Sequence, residues 1–232
     1  MNFQNRHVVV TGGTGALGTA VVGALLEAGA HCHVPCTSDA RAKNFAHAGH
    51  ARLRLVTTGS LSDEAGVARL YEGISNLWAS IHVAGGFAMG KIGDTGKDAL
   101  MRQVEMNFVT CFLCCRAAVR AMAGGNGGRI VNVAARPGVE WRTGAGMAAY
   151  AASKAAVAAL TVALAQEVAS DGMLVNAVVP STMDTPANRN DMPKADHAAW
   201  PKVEEVAQTI LFLASPENKV TRGALVPVYG KS

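Results

Sequence analysis

Charge is scarce in this sequence. Only 16% of its 232 residues are Asp, Glu, Lys or Arg, against 50% hydrophobic, which excludes a disordered chain of low hydrophobicity and high net charge. The 21 basic and 17 acidic residues leave a formal net charge of +4. Because the basic residues are scattered, no nucleic-acid surface is expected, although a mild positive bias suits an anionic ligand. Long apolar runs are missing too. The longest charge-free apolar stretch, residues 155–165, falls short of the roughly 18–20 residues that span a bilayer, so no membrane helix is expected despite a mean hydropathy of +0.19.

The first ten residues lack the basic segment, apolar core and small-residue cleavage site of a secretory leader, so residence in the cytoplasm is expected. Cysteines are few and odd in number: Cys32, Cys36, Cys111, Cys114 and Cys115. They fall on two predicted buried elements, which argues for reduced thiols and against a disulfide framework. The last three form a CxxCC run inside a helical stretch without His or further Cys at ligand spacing. That run reads as packing, and no metal is expected.

Glycine is abundant, with 25 residues against eight prolines, in short clusters that serve turns and close backbone approaches. Short β-rich runs alternate with longer helical ones, the pattern of βαβ units on a parallel sheet. Strands are predicted at 7–11, 31–36, 52–57, 80–83, 129–133, 174–178 and 224–228. Helices are predicted at 16–27, weakly at 39–46, from 63 behind a Ser62 cap, at 97–122 with a bend near its start, at 147–170 and at 203–214. A turn is expected at 124–128. Residues 180–201 carry four prolines and no clear element, and such an excursion reads as a substrate loop. The fold class is therefore α/β, with one doubly wound domain over residues 1–232, a seven-stranded parallel sheet and helices on both faces.

The first strand runs into Thr11-Gly12-Gly13-Thr14-Gly15-Ala16-Leu17-Gly18 and then directly into a helix. Missing Cβ atoms let a pyrophosphate reach the amides at a helix start, where the dipole favours negative charge. Gly12, Thr14, Gly15, Ala16, Leu17 and Gly18 are thus assigned to a dinucleotide. At the end of the second strand, where an acid would bind an adenosine ribose diol, stand Cys36, Thr37 and Ser38. This neutral end with Arg41 in reach tilts the cofactor towards NADP, while Asp39 leaves NAD open. Ala84, Gly85 and Gly86 offer small residues beside the cofactor.

Tyr150 and Lys154 lie four residues apart, hence on one helical face. A phenol titrates near 10, and a cation one turn away favours its ionised form, so the pair forms a proton donor. With the glycine turn upstream, the sequence resembles a short-chain dehydrogenase/reductase over essentially its whole length. The resemblance implies Tyr150 as catalytic acid, Lys154 as its pKa-lowering, ribose-binding partner, and Asn107 as the holder of a proton-relay water. It also implies cofactor contacts at Pro180 and Thr182 and self-association as a homodimer or homotetramer.

One departure stands out in Val131-Asn132-Val133-Ala134-Ala135. The matching family segment usually ends in two serines, the second orienting the substrate, and alanine cannot donate that hydrogen bond. Thr143 is a substitute only if residues 136–146 fold inward. The dihydropteridine reductase branch also lacks the serine, and the stretches Val83-Ala84-Gly85-Gly86-Phe87-Ala88 and 180–200 resemble its sequences. That resemblance implies reduction of a quinonoid dihydropteridine or similar conjugated substrate, with Thr185, Asn188 and Arg189 contacting it. Phe87, Met89 and Trp141 would supply a flat apolar wall, although packing explains each equally well. The alternatives are a general carbonyl or 3-oxoacyl reductase, and a dinucleotide-binding regulator without efficient chemistry.

Overall fold

The computed structural model describes residues 1–125 and 127–232; the turn expected at 124–128 includes residue 126, outside the described residues. Among the described residues, β1 (His7–Thr11), β2 (His31–Cys36), β3 (Leu53–Thr57), β4 (Leu77–His82), β5 (Gly128–Val133), β6 (Met173–Pro180) and β7 (Leu225–Val228) form one parallel sheet. Their order is β3-β2-β1-β4-β5-β6-β7. The winding reverses between β1 and β4, which opens a crevice beyond the carboxyl ends of those strands.

The helices are α1 (Ala16–Glu27), α2 (Asp39–Lys43), α3 (Glu64–Tyr71), α4 (Lys97–Gln103), α5 (Thr110–Met122), α6 (Arg136–Val139), α7 (Ala148–Glu167), α8 (Pro186–Asp191) and α9 (Val203–Ala214). Central strands buried on both faces need continuous apolar runs. In β1, Val8 and Val10 pack with Leu25 of α1 and Ile210 of α9, while Val9 faces the opposite layer with Leu70 of α3, Cys114 of α5 and Val157 of α7. Burial of each such side chain contributes about 1.5–3 kcal/mol.

Glycine at position 29 ends α1, as its φ of +94° lets the amides of Gly29 and Ala30 reach the carbonyls of Leu26 and Leu25 at 3.1 and 2.9 Å. The stretch predicted as one bent helix is α4 and α5 joined by a π-helical turn, Val104–Val109. Two segments read as irregular contain short helical turns. Thr185 Oγ1 accepts from the Asn188 amide at 3.2 Å and Pro186 occupies the first turn, which starts α8 inside the expected substrate loop. A second short turn follows at His197–Ala199. Residues 136–144 form α6 and the 3₁₀ turn Trp141–Gly144. Strand β4 starts three residues earlier than expected because Leu77 and Ala79 pair with His7 and Val8 of β1, and Asp63, not Ser62, is the N-cap residue of α3.

By length and composition α7 would pass as a membrane span, with a mean hydropathy of 1.5 in its most apolar window. The expectation drawn from residues 155–165 overlooked how far this helix extends past its buried Lys154. In this fold α7 packs on β6, α6 and the π-helical turn as a core helix.

At the winding reversal, Gly12 has a φ of +66°, and a Cβ there would stand 2.6 Å from the Ala84 amide nitrogen. Gly49 has a similar φ of +84° with open space around it. Gly49→Ala should therefore lose about 1–2 kcal/mol from the left-handed backbone alone. Gly12→Ala should lose about 1–3 kcal/mol more from overpacking. Urea unfolding of both variants checks this, and equal losses would contradict the close approach.

Candidate active site

The end of β5 and the first half of α7 define the site. Lys154 is buried, and its Nζ donates to the Val133 carbonyl at 2.8 Å. Such close seating of α7 depends on small residues, since a Cβ on Gly138 of α6 would stand 2.7 Å from the Lys154 carbonyl carbon. One turn earlier, Tyr150 is half-buried on the same helical face, and the Phe87 ring meets it edge-on at 4.9 Å between centroids.

Electrostatically the pair differs from the sequence expectation. Burial alone pushes the Tyr150 phenol up to about 12, with no lowering contribution from Lys154. Burial also pulls the Lys154 ammonium down to about 8, partly opposed by Cys111. Desolvation thus governs the shift of both groups.

Asn107 sits in the π-helical turn and is buried. Its Oδ1 accepts from the Gly86 amide at 3.0 Å, while its Nδ2 donates to the Gly86 carbonyl at 3.1 Å and to Ser153 Oγ at 3.1 Å. Ser153 Oγ in turn donates to the Tyr150 carbonyl at 2.7 Å. Asn107 therefore ties the loop after β4 to the helix bearing Tyr150. The sequence reading missed Ser153, for which the signal was its position three residues after Tyr150. Between these groups lies Gly85, where a Cβ would be 2.6 Å from Asn107 Oδ1 and 3.3 Å from Lys154 Nζ. Only a bare backbone leaves that gap open.

The glycine turn fits a dinucleotide phosphate. Gly15 caps α1 without any side-chain bond, and the first turn carries no acid. Thr14, Gly15 and Ala16 reach the surface while Leu17 and Gly18 are buried. The first-turn amides and the positive helix end are thereby left to an anion. Ala84 is held against β1 by its amide, which donates to Thr11 Oγ1 at 3.2 Å.

At the end of β2, Cys36 is buried, and Thr37, Ser38 and Arg41 are exposed. The Asp39 carboxylate accepts from Thr57 Oγ1 at 2.6 Å, and Ser38 caps α2 through the Arg41 amide at 3.3 Å. Asp39 is thus turned to β3, and a loop folding back with it to a ribose is not seen. Pro180 ends β6, and Thr182 follows it half-buried.

Ala134 and Ala135 are both buried at the end of β5. Thr143 does not replace the missing hydroxyl, because it is exposed and donates to the Glu140 carbonyl of its own turn at 2.8 Å. Three expected substrate contacts instead build the loop itself. Thr185 caps α8, Asn188 Nδ2 donates to the Met183 carbonyl at 2.8 Å, and Arg189 pairs through two bonds with Asp184. Trp141 lies apart from the cleft. It is 76% exposed and borders a groove of about 490 Å³ over Ala148, Ala152 and Ala155, which helical periodicity puts on the side of α7 opposite Tyr150 and Lys154. Met89 is exposed, near Gly146 at the start of α7.

The profile of the short chain dehydrogenase family matches residues 6–196. The galactitol 2-dehydrogenase of Rhizobium johnstonii is 34% identical, covering 97% of this chain and 94% of its own. The 3-oxoacyl-(acyl-carrier-protein) reductase of Salmonella typhimurium is 28% identical, covering 99% and 98%. Among solved structures, a short chain dehydrogenase/reductase family protein superposes with a TM-score of 0.91 at 26% identity, covering 99% and 98%. ElxO with NADP bound gives 0.88 at 21% identity, covering 98% of each chain, a likeness of fold. The seven-stranded sheet, the bare glycine cap of α1, the Tyr150 and Lys154 pair and these matches lead to one assignment: the chain belongs to the short-chain dehydrogenase family of NAD(P)-dependent oxidoreductases.

Proposed function

We propose that this protein is an NADPH-dependent reductase of carbonyl compounds, with 3-oxoacyl groups the leading substrate class. The observation that carries this reading is the Tyr150 phenol, kept protonated by burial beside a cleft whose opposite wall is a phosphate-ready helix end. Relatives named for oxidising galactitol and for reducing 3-oxoacyl groups support it. NADPH is favoured over NADH because Asp39 is turned to Thr57 while Arg41 stays at the surface beyond β2. In this reading the enzyme works in the cytoplasm as a homo-oligomer.

Gly12, Thr14, Gly15, Ala16, Leu17 and Gly18 would hold the pyrophosphate, and Thr37, Ser38 and Arg41 the adenosine end. Ala84, Gly85, Gly86, Pro180 and Thr182 would border the rest, with Lys154 at the nicotinamide ribose. When bound, NADPH supplies the hydride. Tyr150 donates the proton to the nascent alkoxide, and its buried phenol, titrating at about 12, stays protonated at neutral pH. Asn107 fixes the loop after β4 through both polar atoms, and Phe87 supplies an apolar wall against Tyr150. The loop at 180–201, stiffened by Thr185, Asn188 and the Asp184–Arg189 pair, covers the substrate and excludes water.

A second reading rests on Ala135. A site without a hydroxyl there polarises a ketone oxygen poorly, whereas a quinonoid dihydropteridine needs no alkoxide stabilised. Activity on both substrate classes separates the two. Ala135→Ser should raise kcat on ketones by about a hundredfold, the lower end of what one transition-state donor contributes, and leave quinonoid dihydropterin turnover unchanged. Wild-type turnover confined to the dihydropterin would overturn the carbonyl reading. Tyr150→Phe should lower kcat by about a hundredfold or more with NADPH affinity retained; an undiminished rate would remove Tyr150 from the chemistry.

The titration of Lys154 near 8 gives a further expectation. Its protonated form attracts the anionic cofactor, and the proton leaves as pH rises through that value. The NADPH dissociation constant should therefore be level below pH 8 and rise above it, by at most about tenfold per pH unit. In Lys154→Arg, where the charge persists, the rise should vanish. Fluorescence titration from pH 7 to 10 measures both, and a flat wild-type curve would refute the expectation.

A further inference from the structure

Between the sheet and the helix layer that includes α7, His82 of β4 faces Cys111 and Cys115 of α5. All three are buried, and their ligand atoms lie within 4.8 Å of one another. The CxxCC run showed no histidine at ligand spacing because His82 stands 29 residues upstream of Cys111 and meets it only through the packing of α5 on β4. A fourth polar atom completes the cluster. Asn132 Oδ1 of β5 is 2.8 Å from His82 Nδ1 and 3.5 Å from Cys115 Sγ, which itself is 3.5 Å from His82 Nδ1.

We infer that His82 Nδ1, Cys111 Sγ, Cys115 Sγ and Asn132 Oδ1 form a buried tetrahedral site for a zinc ion. Zinc bonds of about 2.3 Å to sulfur and 2.0 Å to nitrogen or oxygen set tetrahedral sulfur-to-nitrogen and sulfur-to-oxygen edges of about 3.5 Å. The two edges from Cys115 Sγ have that length, Cys111 Sγ lies within 4.8 Å of the His82 and Cys115 ligand atoms, and the Nδ1 to Oδ1 edge must open from 2.8 Å. A disulfide is the poorer use of the same thiols: residues four apart on a helix hold their Cβ atoms about 5–6 Å apart, against about 3.5–4.5 Å for a disulfide.

Charge and hydrogen bonding agree with this ion. Two thiolates, a neutral imidazole and an amide bring a divalent cation to zero net charge, the condition under which a buried ionic group is tolerable. Sulfur and imidazole select zinc over magnesium or calcium, which demand oxygen ligands. Binding releases the two thiol protons, and no electron moves. His82 stays neutral by shifting its proton to Nε2, which faces Ser80 Oγ at 2.8 Å. Ser80 can then donate to the Tyr71 hydroxyl at 2.7 Å, which donates to the Cys114 carbonyl at 3.2 Å. That chain fixes the ring in its ligating tautomer.

Because the cluster is enclosed, the test is refolding from urea with zinc or with chelator, followed by dialysis and metal analysis. Cadmium-refolded protein is examined in parallel for the thiolate charge-transfer band. One zinc per chain, two protons released and a cadmium band in the wild type are the expected results. Cys111→Ser, Cys115→Ser and His82→Ala should each weaken binding by about a hundredfold or more. Cys114→Ser should keep the stoichiometry, and Ser80→Ala should weaken affinity by about ten- to hundredfold. The inference is overturned if the wild type retains no stoichiometric zinc, or if the cadmium band survives in the Cys111→Ser/Cys115→Ser double variant. The wild-type measurements decide even where a variant fails to fold.

Discussion

One hydrogen bond anchors the chemistry of this protein: the buried Lys154 ammonium donating to the last carbonyl of β5. It costs desolvation, which is why the amine titrates near 8. In return it fixes the rotation of a 20-residue helix whose small side chains would otherwise permit many settings. Tyr150, Ser153 and Lys154 reach the crevice because that rotation is fixed. Asn107 then locks the loop after β4 to the same helix, so the cleft has two walls and one hinge-free seam.

The alanines at 134 and 135 change what such a cleft does best. With the surrounding backbone intact, losing a hydroxyl leaves the proton donor in place and removes only the group that would steady negative charge on a substrate oxygen. A retained proton donor is therefore combined with the absence of an oxygen-polarising hydroxyl. Both readings of the function follow from that single contrast, and both keep Tyr150 as acid.

Much of the fold was legible in the sequence. The bounds of α1 and α9 follow from apolar period and stop signals, and the glycine turn stands out because its position between strand and helix is as informative as its composition. What stayed hidden depended on contacts distant in sequence. The cap of Thr185 on α8 was local and readable, yet four prolines masked it. The engagement of Asp39 by Thr57, the outward position of Trp141 and the upward shift that burial gives the Tyr150 phenol required the three-dimensional neighbourhood. So did His82, whose relation to Cys111 and Cys115 no linear motif expresses.

The π-helical turn between α4 and α5 couples two neighbouring parts of the protein through phase. Successive residues of an α-helix advance by about 100°, and a π turn holds one residue more than the α form. Removing a single residue there would swing everything after it by that angle. Asn107 and the cysteines of α5 would no longer face their present neighbours together. The wide turn thus acts as a spacer setting the angular alignment of the cleft and the buried cysteine cluster at once, and insertions or deletions within it should be far less tolerated than substitutions.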